Sequence, residues 1–300
     1  MQTLIKKIRL YLNMSQLEFA ELLSVTFATV NRWENGHTEP NKPAQSKMYN
    51  LCKEKSVPVY DMTLEGIAEV SARIKLETDR ILLYHGSKSG IKGSIEPKSR
   101  KQCDFGRGFY MGTDPNQALT LICDYDKSKF YIVSIAAGTL AHLDVSADID
   151  WAMLVAYNRG RMEKIKGTSF YNKYRDMAAD TDLIIGSIAD DRMFYVIDNF
   201  FIGNVTDSAL IHSLSALQLG RQYVTVSKKG CDAVRIESEI TFSYLERLYM
   251  KEAAEKNRAK GISLANDISK KYRREGKYFD EILDEARAGG KDERTRIKAL

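Results

Sequence analysis

The sequence predicts a multidomain protein: an all-α domain, then an α+β domain, then a helical C-terminal extension. Three observations carry this. Short helical apolar faces fill roughly the first 60 residues, and short β-rich runs alternate with helical stretches between residues 81 and 226. From Tyr244 onward the chain lacks Pro and is dense in mixed charge, with 15 Lys and Arg against 11 Asp and Glu. The expected divisions are 1–61, a linker helix over 62–80, 81–243 and 244–300. A chain of 300 residues is long enough for two cores.

Composition narrows the function classes. With 44% hydrophobic and 28% charged residues, the chain is neither wholly disordered nor fibrous. Its best apolar run, Tyr131 to Leu143, is broken by Ser134, Thr139 and His142. That is far short of the roughly 20 residues a bilayer requires, so no membrane partner is expected. No signal-type apolar core follows Met1, and a cytoplasmic protein is expected. Cys52, Cys103, Cys123 and Cys231 form no C-x-x-C, and His37, His85, His142 and His212 are scattered, so neither disulfides nor a metal site is expected. The net charge of +5 permits nucleic-acid contact without requiring it.

In chain order, Ile5, Ile8 and Leu12 supply a first apolar face, and Leu17, Phe19, Ala20, Leu22 and Leu23 a second. Val30 and Trp33 supply a third. Ser15 with Glu18 three residues on predicts a capping box. Asn35-Gly36 ends the third helix. Leu64, Ile67, Ala68, Ser71 and Ile74 share one face of the linker helix. Strands are expected at 81–84, 130–135, 183–186 and 223–226, and helices near 116–123, 149–158, 191–201 and 207–217. Two helices are expected after Tyr244, with a break near Gly261 and an end at Gly289-Gly290. The extension reads as a lid, a dimerisation arm or a contact for an inhibitor protein; Lys270-Lys271 and Arg273-Arg274 suit nucleic acid; a solvated amphipathic tail is the favoured alternative.

The stretch Ser15 to Gly36 resembles the helix-turn-helix of the Cro and phage-repressor family, over about 60 residues. Gln16, Ala20, Val25, Val30, Trp33, Glu34, Asn35 and Gly36 fall at the family's positions, and Ser24 stands where Gly is common. The resemblance implies a homodimer on double-stranded DNA, with the second helix of the pair in the major groove. Arg32 and Gln16 suit phosphates or base edges, Thr29 and Asn31 base edges, and Phe27 and Ala28 thymine methyls, with Thr26 on the same outer face.

Three further motifs occur in order: Leu83-Tyr84-His85-Gly86-Ser87, Asp104-Phe105-Gly106-Arg107-Gly108-Phe109-Tyr110, and Arg221-Gln222-Tyr223-Val224. Together they resemble the His-Tyr-Glu branch of the ADP-ribosyltransferase superfamily. More narrowly, residues 81–226 resemble an uncharacterised bacterial family with "YHGS", "DFGKGFY" and "IG-ADD" segments; Ile185-Gly186, Ala189-Asp190-Asp191-Arg192 and Phe194 fit the last. The resemblance implies an α+β domain with a split mixed sheet that uses NAD as substrate. His85, Tyr110 and Gln222 would be its catalytic residues, and Gly86, Ser87, Gly106, Arg107, Gly108 and Phe109 its cofactor-binding set. His85 would hold a ribose hydroxyl, Gly86 would admit the carboxamide, Tyr110 would stack on nicotinamide, and Arg107 would lie near the pyrophosphate.

Gln222 departs from the superfamily, which has Glu there. An amide accepts a hydrogen bond but brings no negative charge, and losing such preorganised electrostatics costs about 10²- to 10³-fold in rate. Asp104 and Asp114 are candidate substitutes or loop caps; Glu237 and Glu239 have the spacing of the E-x-E turn of the arginine-modifying branch but read better as a solvated face. Asp190-Asp191 suits a helix N-terminus better than a metal. The expectation is therefore a DNA-binding mono-ADP-ribosyltransferase, a bacterial toxin or defence effector that represses its own operon. The alternatives are a regulator that senses NAD without turnover, and a scaffold. A protein side chain, a nucleic-acid base or a small molecule suits as acceptor.

Overall fold

The computed structural model describes residues 3–188, 191–217 and 220–298. Its N-terminal part holds α1 (Leu4–Tyr11), α2 (Gln16–Leu23), α3 (Phe27–Glu34), α4 (Lys42–Glu54) and α5 (Val59–Glu77). Side chains that accept backbone N–H groups start the first four: Thr3, Ser15, Thr26 and Asn41. The Ser15–Glu18 capping box is present. Ser24 closes α2 in the left-handed region at φ 58°, which is the conformation that favours Gly at this turn. Ile8, Phe19, Ala20, Leu23, Val30, Trp33, Met48 and Cys52 form the small core.

The division expected at residue 61 is not a break. α5 begins at Val59, inside the first core, where Val59 and Met62 are buried; the same helix then buries Ile67 against the second domain.

The second part contains β1 (Ile81–Ser87), β2 (Phe109–Gly112), α6 (Pro115–Ile122), β3 (Lys129–Ile135), β4 (His142–Val145) and α7 (Ile149–Asn158). There follow α8 (Ser169–Asp176), β5 (Leu183–Ser187), α9 (Asp191–Phe201), α10 (Asp207–Leu217), β6 (Arg221–Thr225), α11 (Lys228–Asp232) and β7 (Val234–Ile240). Among the described residues the strands form one seven-stranded sheet in the order β4-β5-β6-β2-β1-β3-β7, antiparallel except for β4 against β5. The β1–β2 ladder has one paired position, Tyr84 opposite Gly112, whereas β1 and β3 pair at seven. The mixed sheet therefore forks between β1 and β2.

The extension departs from its expected form. α12 (Tyr244–Tyr272) runs through Gly261, which is buried, and α13 (Phe279–Lys298) runs through Gly289-Gly290. The chain breaks instead between them, where Gly276 has φ +79°. Nor is α12 a solvated tail. Leu245 and Tyr249 complete the N-terminal core, Met250 packs with Ile67 and Leu119, and Ala265 joins Phe279 and Leu283 of α13 in the largest core. Polar contacts pin its first turns to α4. Gln45 Oε1 accepts from the Leu245 N–H at 2.8 Å, Lys53 pairs with Glu252 at 2.7 Å, and the Tyr49 hydroxyl donates to Glu252.

Glu237 and Glu239 lie within β7, an edge strand, and not on a turn or in a prehelical loop. Glu237 accepts from Ser134 Oγ, and Glu239 pairs with Lys129 at 3.0 Å.

Candidate functional site

Two surfaces carry the residues singled out by sequence. On the first, Phe27, Ala28 and Arg32 stand exposed on α3, with Phe27 at 50%. Thr26 is the N-cap of α3; its Oγ1 accepts from the Thr29 N–H at 3.2 Å and lies 2.8 Å from Thr29 Oγ1. Gln16 and Asn31 are tied inward. Gln16 Nε2 donates to Glu34 at 2.7 Å, and Gln16 Oε1 accepts from Asn31 Nδ2 at 3.4 Å.

Behind them lies an ion pair that sequence reading missed. Arg9 donates to Glu34 through Nε at 2.6 Å and Nη2 at 3.0 Å, with both side chains nearly buried. Burial by itself would raise the Glu34 pKa, but the hydrogen bonds from Arg9 and Gln16 outweigh it and hold the carboxyl below its ordinary range. The positions are 25 residues apart, so no local spacing reveals the pair.

The second surface is a cleft of about 680 Å³ beside the sheet. Tyr110 of β2 and Gln222 of β6 both line it, as do Asp114, Asn116, Gln117 and Leu121 from the start of α6 and its outer face. Arg159, Gly160 and Arg161 enter from the end of α7, Asp198 from α9, Ala254, Asn257 and Arg258 from α12, and Arg100, Gln102, Cys103 and Asp104 from the loop before β2. The arginines were not found from sequence, because they come from three separate parts of the chain.

Tyr110 is fixed at both ends. Its hydroxyl donates to Gly106 O at 2.8 Å and accepts from the Phe105 N–H at 3.1 Å, and burial pushes the phenol pKa well up. Its backbone carbonyl accepts from His85 Nδ1 at 2.7 Å across the fork. A carbonyl only accepts, so Nδ1 carries the proton and Nε2 is left as acceptor. Desolvation lowers the His85 pKa, partly offset by this bond, so the ring is neutral at physiological pH.

His85 does not line the cleft. Along β1 it shares a face with Leu83, which packs with Phe109, Met111 and Tyr131; Tyr110 packs in the opposite layer with Val224. The His85 ring stacks on Phe109, with centroids 4.3 Å apart. Gln222, 3% exposed, donates through Nε2 to Ser187 O at 2.9 Å.

The predicted cofactor-binding residues divide. A Cβ on Gly86 would sit 2.5 Å from the Ala118 carbonyl oxygen, and one on Gly108 2.4 Å from Val224 Cγ1. Both glycines thus permit close packing within the domain. Gly106 has φ +73° and turns the loop over Asn158. Ser87, Gly86, Gly106, Gly108 and Phe109 are not among the cleft-lining residues, and Arg107 is exposed outside it. Asp104 is buried and pairs with Arg159 at 2.6 Å, while Asp114 caps α6 by accepting from the Asn116 N–H at 2.9 Å. Ala189 and Asp190 lie outside the described residues, as do the side chains of Asp191, Arg192 and Phe194. Among the described residues no cluster of His, Cys, Asp or Glu could hold a metal, and no helix is long and apolar enough to cross a membrane.

Residues 81–236, just over half the chain, match the model of a protein family of unknown function, DUF3990. The chain belongs to the DUF3990 family. Residues 5–44 separately match a helix-turn-helix family, which supports DNA binding through α2 and α3. No curated protein and no solved structure matches the chain. The DUF3990 segment contains Tyr110, Gln222, Arg159 and Arg161 but ends before α12, so Asn257 and Arg258 are added from outside it.

Proposed function

We propose that this DUF3990 protein is a DNA-binding, NAD-dependent mono-ADP-ribosyltransferase, a bacterial toxin or defence effector that represses its own operon. One observation carries the reading: β6, β2 and β1, which bear the three motifs, are neighbours in the sheet, and Tyr110 and Gln222 line one cleft. The cleft volume of about 680 Å³ suits a nucleotide-sized ligand. Its arginines and amides suit phosphates and ribose hydroxyls.

Bound NAD⁺ supplies a glycosidic bond to a cationic leaving group. The acceptor's lone pair forms the new bond at ribose C1′, nicotinamide departs neutral with the old bonding pair, and the acceptor's proton passes to solvent or to the acceptor's own base. Tyr110 offers its ring face to nicotinamide, held by the two bonds on its hydroxyl. Gln222 has its Nε2 bound to Ser187 O, and an amide engaged through its nitrogen keeps Oε1 as the acceptor that would serve a ribose hydroxyl. Without a negative charge there, turnover is slow unless the acceptor is a good nucleophile. His85 acts through the Tyr110 carbonyl and is a positioning residue.

A second reading, a regulator that senses NAD or a related nucleotide without turnover, is favoured by the neutrality of Gln222. Adenylate-labelled NAD⁺, bacterial lysate and the purified protein separate the two. Label that moves to a macromolecule, and fails to move with Tyr110→Ala, supports the transferase. NAD⁺ bound with no label moved supports the sensor. Label transfer undiminished in both Tyr110→Ala and Gln222→Ala refutes the site as drawn.

A further inference from the structure

The cleft is walled partly by helices that also complete the N-terminal core. α12 places Leu245 and Tyr249 in that core and, further along, Ala254 and Asn257 on the cleft. α5 reaches the cleft wall through Tyr60. This residue sits between Val59 and Met62, both buried in the N-terminal core, and packs against that core as well as against the cluster of Ile67 and Leu119. Its hydroxyl donates to Asn116 Oδ1 at 2.5 Å, and Asn116 lines the cleft.

The amide of Asn116 is held at both ends. Its Nδ2 donates to Asp114 Oδ1 at 2.7 Å. A carboxylate only accepts, so this bond fixes which way round the amide lies; Oδ1 is left toward Tyr60, and the hydroxyl must donate. Burial pushes the Tyr60 phenol pKa well up, and Asp114 adds to the shift, so the donor keeps its proton. Asp114 also accepts from the Asn116 backbone N–H at 2.9 Å, so one carboxylate both caps α6 and anchors this side chain. The second hydrogen of Nδ2 has no protein acceptor among the described residues. An amide locked at its nitrogen and its oxygen presents that hydrogen in one direction, with little ordering left to be done on binding.

We infer that Tyr60 is a positioning residue of the cleft: its hydroxyl locks the Asn116 amide, whose remaining N–H donates to an oxygen of the bound nucleotide. Tyr60 lies outside both matched segments, residues 5–44 and 81–236. The DUF3990 domain thus takes part of its ligand site from α5, the helix that joins it to the helix-turn-helix. The inference rests on the cleft being the nucleotide site of the proposed function, and requires no turnover.

The test is calorimetric titration of the full chain with ADP-ribose, with denaturation midpoints and DNA affinity measured alongside. Tyr60→Phe, which keeps the ring, is expected to weaken ADP-ribose about three- to tenfold, and Asn116→Ala about tenfold. Both should leave DNA affinity unchanged. In the Asn116→Ala background Tyr60→Phe should weaken ADP-ribose no further, the non-additivity expected of a residue that acts through another. Side-chain amide resonances give a direct readout. The Asn116 pair, assigned by its loss in Asn116→Ala, should move when ADP-ribose is added to the unsubstituted chain and move less in Tyr60→Phe. A merely structural Tyr60 would instead lower the denaturation midpoint, add its loss to that of Asn116→Ala, and leave the Asn116 resonances blind to ligand; any of the last two results, or an affinity unmoved by Tyr60→Phe, overturns the inference. ADP-ribose binding that needs Tyr110 but neither Tyr60 nor Asn116 overturns it while leaving the proposed function standing. Binding that needs all three, with no label transferred from NAD⁺, upholds it and refutes the transferase reading. No ADP-ribose binding by the unsubstituted chain overturns both the inference and the cleft as a nucleotide site.

Discussion

Replacing Arg9 by Met strips the buried partner from Glu34 while keeping a side chain of similar length. In the intact protein the pair is doubly hydrogen-bonded, at 2.6 and 3.0 Å, and the side chains retain 11% and 3% of their exposure. Arg9→Met leaves a nearly buried carboxylate whose remaining side-chain donor is Gln16 at 2.7 Å. Removing one member of a buried pair costs about 3–5 kcal/mol. For a domain of a few hundred residues each kcal/mol lowers Tm by about 2–4 °C, so the loss should be about 6–20 °C. Replacing both members, Arg9→Met with Glu34→Leu, removes the stranded charge and should restore most of the stability. It should not restore DNA affinity, because Gln16 loses the carboxylate that holds it against α3, and Asn31 is bonded in turn to Gln16. The assays are thermal and urea denaturation of the full chain, followed by DNA binding at fixed salt. A double variant as unstable as Arg9→Met would refute the charge argument and leave packing as the cause. A double variant with full DNA affinity would refute the positioning role.

The same pair predicts a pH effect. The folded Glu34 pKa lies below its unfolded value, so its contribution is present above the ordinary carboxylate range and is lost as pH falls through the depressed value. The stability gap between wild type and Glu34→Gln, measured by urea denaturation, should therefore narrow as pH falls from 7 to 3. Two glycine substitutions should part company. Gly86→Ala drives a Cβ to 2.5 Å from a backbone oxygen of α6 and should cost about 1–3 kcal/mol, whereas Gly66→Ala meets nothing within 4 Å inside α5 and should gain about 1 kcal/mol, both read from denaturation midpoints. On DNA, Arg32→Ala should flatten the slope of log affinity against log salt by about 1 if Arg32 meets a phosphate; an unchanged slope would remove it from the interface.

The elements most legible in the sequence were those with a strong local period. The helix-turn-helix was readable because Ala20, Val25, Val30 and Trp33 must fill one small core, and Ser15 and Asn35-Gly36 punctuate it. α7, at Ile149–Asn158, and the strands around Leu83, Ile132 and Ile184 were readable from apolar runs. β2 and β4, of four residues each, are too short to set a period. β7 was missed because Arg235, Glu237 and Glu239 face solvent on an edge strand, where charge guards against pairing with another chain. Gly261 looked like a breaker because its burial within α12 depends on neighbours from distant parts of the chain. In the cleft, Tyr110 and Gln222 were marked by motif, but Arg100, Arg159, Arg161 and Arg258 meet only through tertiary structure.

The bond from Leu245 to Gln45 spans 200 residues, and with Tyr249 it closes a core whose other members precede residue 63. On the ribosome the first module therefore waits. Its helices emerge early, but the face of α4 around Met48 and Cys52 stays uncovered until the whole sheet and the start of α12 have been made. A chain cut short before residue 245 carries every residue of the recognition helix and still lacks part of that module's interior. The order of synthesis thus ties a finished helix-turn-helix module to a finished sheet, so that incomplete copies meet DNA with a defective core.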